Sequence, residues 1–215
     1  MSFETKFVAP AWVAPRLVTR LRQVLAADPR HPTDRVHSVY FDSPGERATD
    51  EVRNGDLYKA KLRVRWYGSS GPGAAWLERK RKLGGRRTKL RRPAPELDAT
   101  LPLHHPGWLR APHLLQEPAE RSIEHLEPVL HLAYRRERFV DRASGARIAV
   151  DDDIRLLAVH PRIAHTTPPR NCPHDELVLE LKGDTRQLPR GLGFLKDLGL
   201  RRRAFSKYGI CRGVA

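Results

Sequence analysis

Leu57-Tyr58-Lys59-Ala60-Lys61-Leu62-Arg63-Val64-Arg65-Trp66-Tyr67 is the stretch whose reading decides the fold. Lys59, Lys61, Arg63 and Arg65 alternate with Ala60, Leu62, Val64 and Trp66. Strict period-two alternation is the signature of a strand with one apolar face, so this segment reads as antiparallel β. Side chains on one face of a strand recur roughly every 6.6–7 Å, so the other face is a ladder of positive charge. Such a ladder on its own is also what a solvated outer strand face looks like.

Similar patterns lie on both sides of it. Phe3 to Val8 and Val36 to Asp42 read as strands, the second bounded by Ser43-Pro44-Gly45. Trp76 to Lys82 and Arg86 to Arg92 read as a hairpin turning at Gly84-Gly85. Val129 to Val140 and Ala146 to Asp153 read as a second hairpin turning at Ser144-Gly145, followed by a strand over Glu176 to Lys182 and a last one over Arg203 to Tyr208. Pro15 and the spacing of Leu17, Leu21, Val24 and Leu25 predict a helix ended by Pro29. Leu192, Leu195 and Leu198 predict a second, short helix with Gly199 as its C-cap. The Pro- and His-rich span from Pro93 to Pro118 reads as a connector anchored by Trp108, Leu109, Leu114 and Leu115. The sum is an α+β domain, mainly antiparallel β, with enough strands to close a barrel.

The chain has 215 residues, with 40 Lys+Arg against 25 Asp+Glu, for a formal net charge of +15. That length suits one domain, and that imbalance points to a polyanionic partner. Nucleic acid fits poorly, because aromatic residues are only 7% and Trp66 and Tyr67 flank a turn rather than form a stacking platform. Cys172 and Cys211 match no metal spacing, and two thiols suit a reducing compartment or a single disulfide. Met1 to Ala11 has no apolar signal-peptide core and no stretch is long and apolar enough to span a membrane, so the expected location is the cytoplasm. Gly-rich phosphate loops, a nucleophile elbow and His-based zinc motifs are all missing from the sequence.

Cationic faces recur in Lys80 and Lys82, in Arg87, Lys89 and Arg91, in Arg136 and Arg138 beside Tyr134, and at Arg147. Like charges opposite one another destabilise a sheet, so these faces make sense when they share an anion. Three carboxylates stand two residues before a lysine: Glu4 and Lys6, Glu78 and Lys80, Glu180 and Lys182. Each pair could be a same-face salt bridge. Together beside the Arg and Lys rows they tilt toward a metal-phosphate site, because Mg²⁺ or Mn²⁺ takes carboxylate oxygen and shares itself with phosphate.

Eight segments occur in the order seen in VTC domains: Phe3 to Phe7, Ser38 to Asp42, Lys61 to Tyr67, Glu78 to Lys82, Tyr134 to Phe139, Arg147-Ile148, Val178 to Lys182 and Phe205 to Tyr208. VTC domains are the catalytic domains of the vacuolar transporter chaperone polyphosphate polymerases and their bacterial relatives, within the triphosphate tunnel metalloenzymes. The resemblance runs nearly end to end and implies one tunnel domain over residues 1–215, an eight-stranded closed β-tunnel with a few peripheral helices. It implies a metal-dependent polyphosphate polymerase using ATP with Mn²⁺ or Mg²⁺, with a triphosphatase or a polyphosphate- or inositol-phosphate-binding module as alternatives. By position it makes Lys6, Arg63, Arg65, Lys80, Lys89, Arg136, Arg147 and Lys207 phosphate ligands and Glu180 the metal-binding carboxylate. Lys82, Tyr134 and Lys182 join the substrate face and Glu4 the metal. Arg63, Arg65, Arg136, Arg147 and Glu180 form the implied catalytic set. Ala204 stands where the family often has a basic residue. Any coupling to membrane transport would come from a separate membrane protein.

Overall fold

A computed structural model describes residues 3–68, 75–84, 86–95, 97–115, 125–166, 174–184 and 187–214. Ten strands form one sheet: β1 Phe3–Pro10, β2 Ala26–Ala27, β3 Thr33–Asp42, β4 Tyr58–Tyr67, β5 Trp76–Leu83, β6 Arg86–Pro93, β7 Glu127–Val140, β8 Arg147–Val159, β9 Glu176–Gly183 and β10 Arg201–Arg202. Their hydrogen-bonded order is β10-β1-β9-β8-β7-β3-β4-β5-β6, with β2 against β7. Every pairing with an assigned register is antiparallel. The helices are α1 Ala14–Val24, α2 Arg47–Arg53 and α3 Lys207–Cys211, with short 3₁₀ turns between strands.

The chain groups into two compact units. One comprises Met1–Arg35, Tyr134–Arg155 and Cys172–Phe205; the other comprises Val36–Ala133, Leu156–Asn171 and Ser206–Ala215. In the first, α1 buries Leu17, Val18 and Leu21 against Ile148, Val150, Leu177, Leu179 and Leu181 from β8 and β9. Leu192 and Leu195 join that core from a 3₁₀ turn over Arg190–Leu195, where a short helix was expected, and Gly199 follows at φ +72. In the second, Leu62, Val64 and Trp66 pack with Val39, Phe41 and Leu77. The Pro-rich connector is folded over this core through Leu97, Leu103, Trp108 and Ala111, whereas Leu109 is exposed. The side chains of Leu114 and Leu115, and Cys172, lie outside the described residues.

Two expectations need correction, and one helix has no counterpart in the sequence reading. The eight-stranded closed tunnel is instead a ten-stranded sheet with two ends. β6, of sequence RRTKLRRP, is mostly exposed and ends the sheet with like charge and a proline, and β10 is two residues long. Charge, proline and shortness are the usual ways to blunt an edge without closing it. The last strand expected over Arg203 to Tyr208 is a helix from Lys207. Pairing with β1 stops at Phe7↔Arg202, and the Ser206 hydroxyl then caps α3 by accepting from the Gly209 N–H at 3.1 Å. The helix without a counterpart is α2, which has no apolar periodicity and buries Thr49 and Glu51. It starts where the Asp42 carboxylate accepts from the N–H groups of Ala48 (2.8 Å) and Thr49 (3.1 Å), which satisfies two donors of its first turn.

Candidate functional site

In the second unit the register of β4, β5 and β6 stacks cations into rungs. Lys59, Lys82 and Arg87 lie side by side, then Lys61, Lys80 and Lys89, then Arg63, Glu78 and Arg91, then Arg65, Trp76 and Pro93. This face carries nine Lys and Arg side chains and one carboxylate. Its reverse presents Leu62, Val64 and Leu77 to the core, so burial of the apolar face fixes which way the cations point.

Glu78 is 2% exposed and is the hub of this face. It accepts from Arg63 Nε at 2.8 Å and Nη2 at 2.6 Å, and Lys89 Nζ stands 2.8 Å from its other oxygen. Arg65 and Arg91 approach at 3.7 and 3.5 Å. Burial pushes the Glu78 carboxyl up, but Arg63, Arg65 and Lys89 outweigh it and hold the group well below the usual carboxylate range. Arg63 Nη1 donates to Tyr40 Oη at 3.0 Å, Arg65 Nε to Ser38 Oγ at 3.3 Å, and Arg91 stacks 3.8 Å over the Trp76 ring. Burial raises the Tyr40 phenol, and Arg63, Arg65 and Lys61 more than offset this and bring it down to about 8.

Lys61 donates to Ser206 Oγ at 2.9 Å and lies over the Tyr208 ring. Lys207 is thus held at the start of α3, and a buried network anchors that helix. Tyr208 Oη donates to Asp42 Oδ2 at 2.7 Å, Thr49 Oγ1 donates to the same oxygen at 2.9 Å, and Arg212 Nε donates to Thr49 Oγ1 at 3.3 Å.

In the first unit β1, β9 and β8 bring Glu4, Lys182 and Arg147 into one rung and Lys6, Glu180 and Ala149 into the next. Here charges are nearly balanced. Arg136 donates Nε and Nη2 to the two oxygens of Asp151 at 2.5 and 2.7 Å, and Asp151 is fully buried. Arg136 also reaches Glu180 at 3.7 Å and lies over the buried Tyr134 ring. Lys182 pairs with Glu180 at 2.7 Å. Lys6 stands 3.6 Å from Glu4 and donates to the Phe205 carbonyl at 2.9 Å. Burial pushes Glu180 up, and Lys182, Arg136 and Lys6 hold it well below the usual range. Arg147 is exposed. Ala204 is exposed beyond the end of β10, and Arg203 pairs with Glu176 at 2.6 Å.

The structure therefore divides the sequence-predicted residues. Arg63, Arg65, Lys80, Lys82, Lys89 and Lys207 belong to the second unit. Lys6, Tyr134, Arg136, Arg147, Lys182, Glu4 and Glu180 belong to the first. Two of the three Glu-x-Lys pairs form as written. In the third, Glu78 is held by Arg63 and Arg65 of β4 and by Lys89 and Arg91 of β6. The partners of Tyr40, Arg91, Asp151, Ser206 and Tyr208 escape pattern reading, because they are set by register and by α3.

Glu4 and Glu180 sit diagonally on adjacent strands, since Glu4 pairs with Lys182 and Lys6 with Glu180. Two hard carboxylates suit Mn²⁺ or Mg²⁺ that completes its shell with phosphate and water. Among the described residues no group of three or more His, Cys, Asp or Glu is placed to hold a metal. The donor set thus fits an ion shared with substrate rather than a protein cage.

These features define an α+β protein built on a mainly antiparallel sheet with cationic strand faces. A family model for the VTC domain matches residues 2–215, and the chain belongs to that family. No curated protein matches it. Among solved structures it is similar to the proposed adenylyl cyclase HpAC1 from Hippeastrum, described as having a dominant triphosphatase activity. Identity is 15%, TM-score 0.60, with 99% of this chain and 96% of that one covered. It also resembles a proposed adenylate cyclase from Bacillus halodurans, at 11% identity and TM-score 0.57 over 96% and 94% of the two chains. A third, from Vibrio parahaemolyticus, has 10% identity and TM-score 0.53 over 97% and 96%. At these identities the likeness speaks for the fold alone. Among the described residues no helix is long and apolar enough to cross a membrane.

Proposed function

We propose that this chain is a metal-dependent polyphosphate polymerase that transfers the terminal phosphate of ATP to a polyphosphate chain. The observation that carries this reading is the β4–β6 face, with nine cations around one buried carboxylate. A face so unbalanced is suited to a ligand with many closely spaced negative charges. In the reaction a terminal phosphate oxygen of the chain bonds to the γ-phosphorus of ATP. The bond from that phosphorus to the β–γ bridging oxygen breaks, and ADP leaves with the electron pair. The attacking oxygen is already anionic near neutral pH, so positioning and charge neutralisation do the work, without a general base. Arg63, Arg65, Arg136 and Arg147 hold phosphates, with Lys6, Lys80, Lys82, Lys89, Lys182 and Lys207 as further ligands. Glu180 and Glu4 would hold Mn²⁺ or Mg²⁺, which when bound offsets phosphate charge.

A triphosphatase is the second reading, favoured by the activity described for the Hippeastrum protein. Hydrolysis needs a carboxylate to orient water. Glu78 meets four cations and Asp153 pairs closely with Arg35 and Arg155, whereas Glu4 has a longer ion pair, to Lys6 at 3.6 Å, and is the candidate for that role. Incubating purified protein with ATP and Mn²⁺ and resolving products on a gel separates the readings. Polymer supports the polymerase. Phosphate release without polymer, abolished by Glu4→Gln, supports the triphosphatase. Tight polyphosphate binding with neither product leaves a binding module.

A further inference from the structure

We propose that Glu78 is a positioning residue for phosphate and takes no metal: it sets Arg63, Arg65, Lys89 and Arg91 as a preformed anion fork. This rests on the phosphate reading of the β4–β6 face. Both Glu78 oxygens are engaged. One takes Arg63 Nε and Nη2 at 2.8 and 2.6 Å with Arg65 at 3.7 Å, and the other takes Lys89 at 2.8 Å with Arg91 at 3.5 Å. A divalent ion here would enter a pocket that already holds four positive groups, against Coulomb repulsion and with a carboxylate 2% exposed. Glu180, by contrast, has two cations within ion-pair distance, Lys182 and Arg136, with Lys6 as its cross-strand neighbour.

The clamp is also geometrically complete. Glu78 holds one edge of the Arg63 guanidinium and Tyr40 Oη, at 3.0 Å, holds Nη1. Ser38 restrains Arg65, and the Trp76 ring restrains Arg91. Because Glu78 lies on β5, between β4 and β6, one side chain orients cations of both neighbours. Ordering long cationic side chains before the ligand arrives removes an entropic cost of binding.

The test is calorimetric binding of inorganic tripolyphosphate to the full chain, first in EDTA and then with Mn²⁺. Glu78→Asp keeps the charge and withdraws the carboxylate by one methylene. The expected result is roughly tenfold weaker metal-free binding, the size of a lost charge-assisted hydrogen bond. Glu78→Gln adds one net positive charge, and binding still weakens. The gain from Mn²⁺ stays that of the wild type in both variants. In an Arg63→Lys background, which lacks the fork, Glu78→Asp has little further effect. Tighter binding by Glu78→Gln with an unchanged Glu78→Asp would make Glu78 a plain counter-charge. Unchanged metal-free binding with the Mn²⁺ gain lost would make it a metal ligand. Either result overturns the proposal while the phosphate reading stands. A wild-type chain that does not bind tripolyphosphate overturns both. Should Glu78→Gln fail to fold, the Glu78→Asp result decides.

Discussion

The β4–β6 face and the β1–β9–β8 face are built from the same strand geometry and the same residue types, yet they solve opposite problems. On the first, strands of sequence YKAKLRVRWY, WLERKRKL and RRTKLRRP contain a single acid, Glu78. On the second, Glu4 and Glu180, with Asp151 beside them, face Lys6, Arg136, Arg147 and Lys182. The second face is close to neutral within itself and is held by ion pairs that are already made. The first sets nine cations against one carboxylate, so a polyanion bound there would stabilise it. The number of carboxylates per rung is what separates the two faces.

The largest effect that would break this contrast is on the balanced face. Asp151→Asn leaves the largely buried Arg136 guanidinium without its two-oxygen partner, and breaking a buried pair costs about 3 kcal/mol or more. For a chain of this size that lowers the melting temperature by roughly 6–12 °C. Calorimetry should show it in the absence of any ligand. The next effect belongs to the unbalanced face. Tripolyphosphate at a hundred times its Kd should stabilise the wild type by about 2.7 kcal/mol, and the gain should shrink as salt screens the rungs. A melting curve indifferent to tripolyphosphate at low salt would remove the basis for calling this face a ligand site.

Much of the fold was legible because alternation is a local signal. Lys59 to Trp66 gives its own strand and its own two faces, and the short loop at Gly84 fixes Lys82 against Arg87. Helix α1 was legible from Pro15 and the leucine spacing. What pattern reading could not reach was non-local. A count of strands says nothing of whether the two end strands pair, so the closed barrel did not survive β10 stopping at Arg202. Helix α3 depends on one cap at Ser206, and α2 on a carboxylate, Asp42, that precedes it in sequence and shows no periodicity. The partners of Glu78 depend on the β4–β5 register, which a long intervening segment leaves open. The i+2 spacing to Lys80 says nothing of the cross-strand cations Arg63, Arg65, Lys89 and Arg91 that hold it.

Tyr40 allows the unbalanced face to be read directly. Its phenol stands at about 8 in the folded chain against an ordinary value of about 10. Between those values the unfolded chain holds a proton that the folded one has released, so stability rises with pH. The contribution is complete above about pH 10 and is lost as pH falls through about 8, for a total of about 2.7 kcal/mol. Tyr40→Phe should flatten that rise. A bound polyanion offsets Arg63, Arg65 and Lys61, the groups that hold the phenol down. An ultraviolet difference titration should therefore find the midpoint near 8 without ligand and higher with tripolyphosphate. An unmoved midpoint would place the anion away from this rung.

The smallest effect comes from the outermost rung. Lys59, Lys82 and Arg87 stand side by side with no acid in their row, and like charges directly opposite one another oppose sheet formation. Lys82→Met removes one of three such charges while keeping an aliphatic stem of similar length. The ligand-free protein should then melt slightly higher, and bind tripolyphosphate roughly two- to fivefold more weakly at low salt, as expected for a partly exposed charge. The same change at Lys182, which pairs with Glu180 at 2.7 Å, should lower the ligand-free melting temperature instead. Opposite signs for one substitution on the two faces would show that their difference lies in the carboxylates beside each lysine rather than in the lysines themselves.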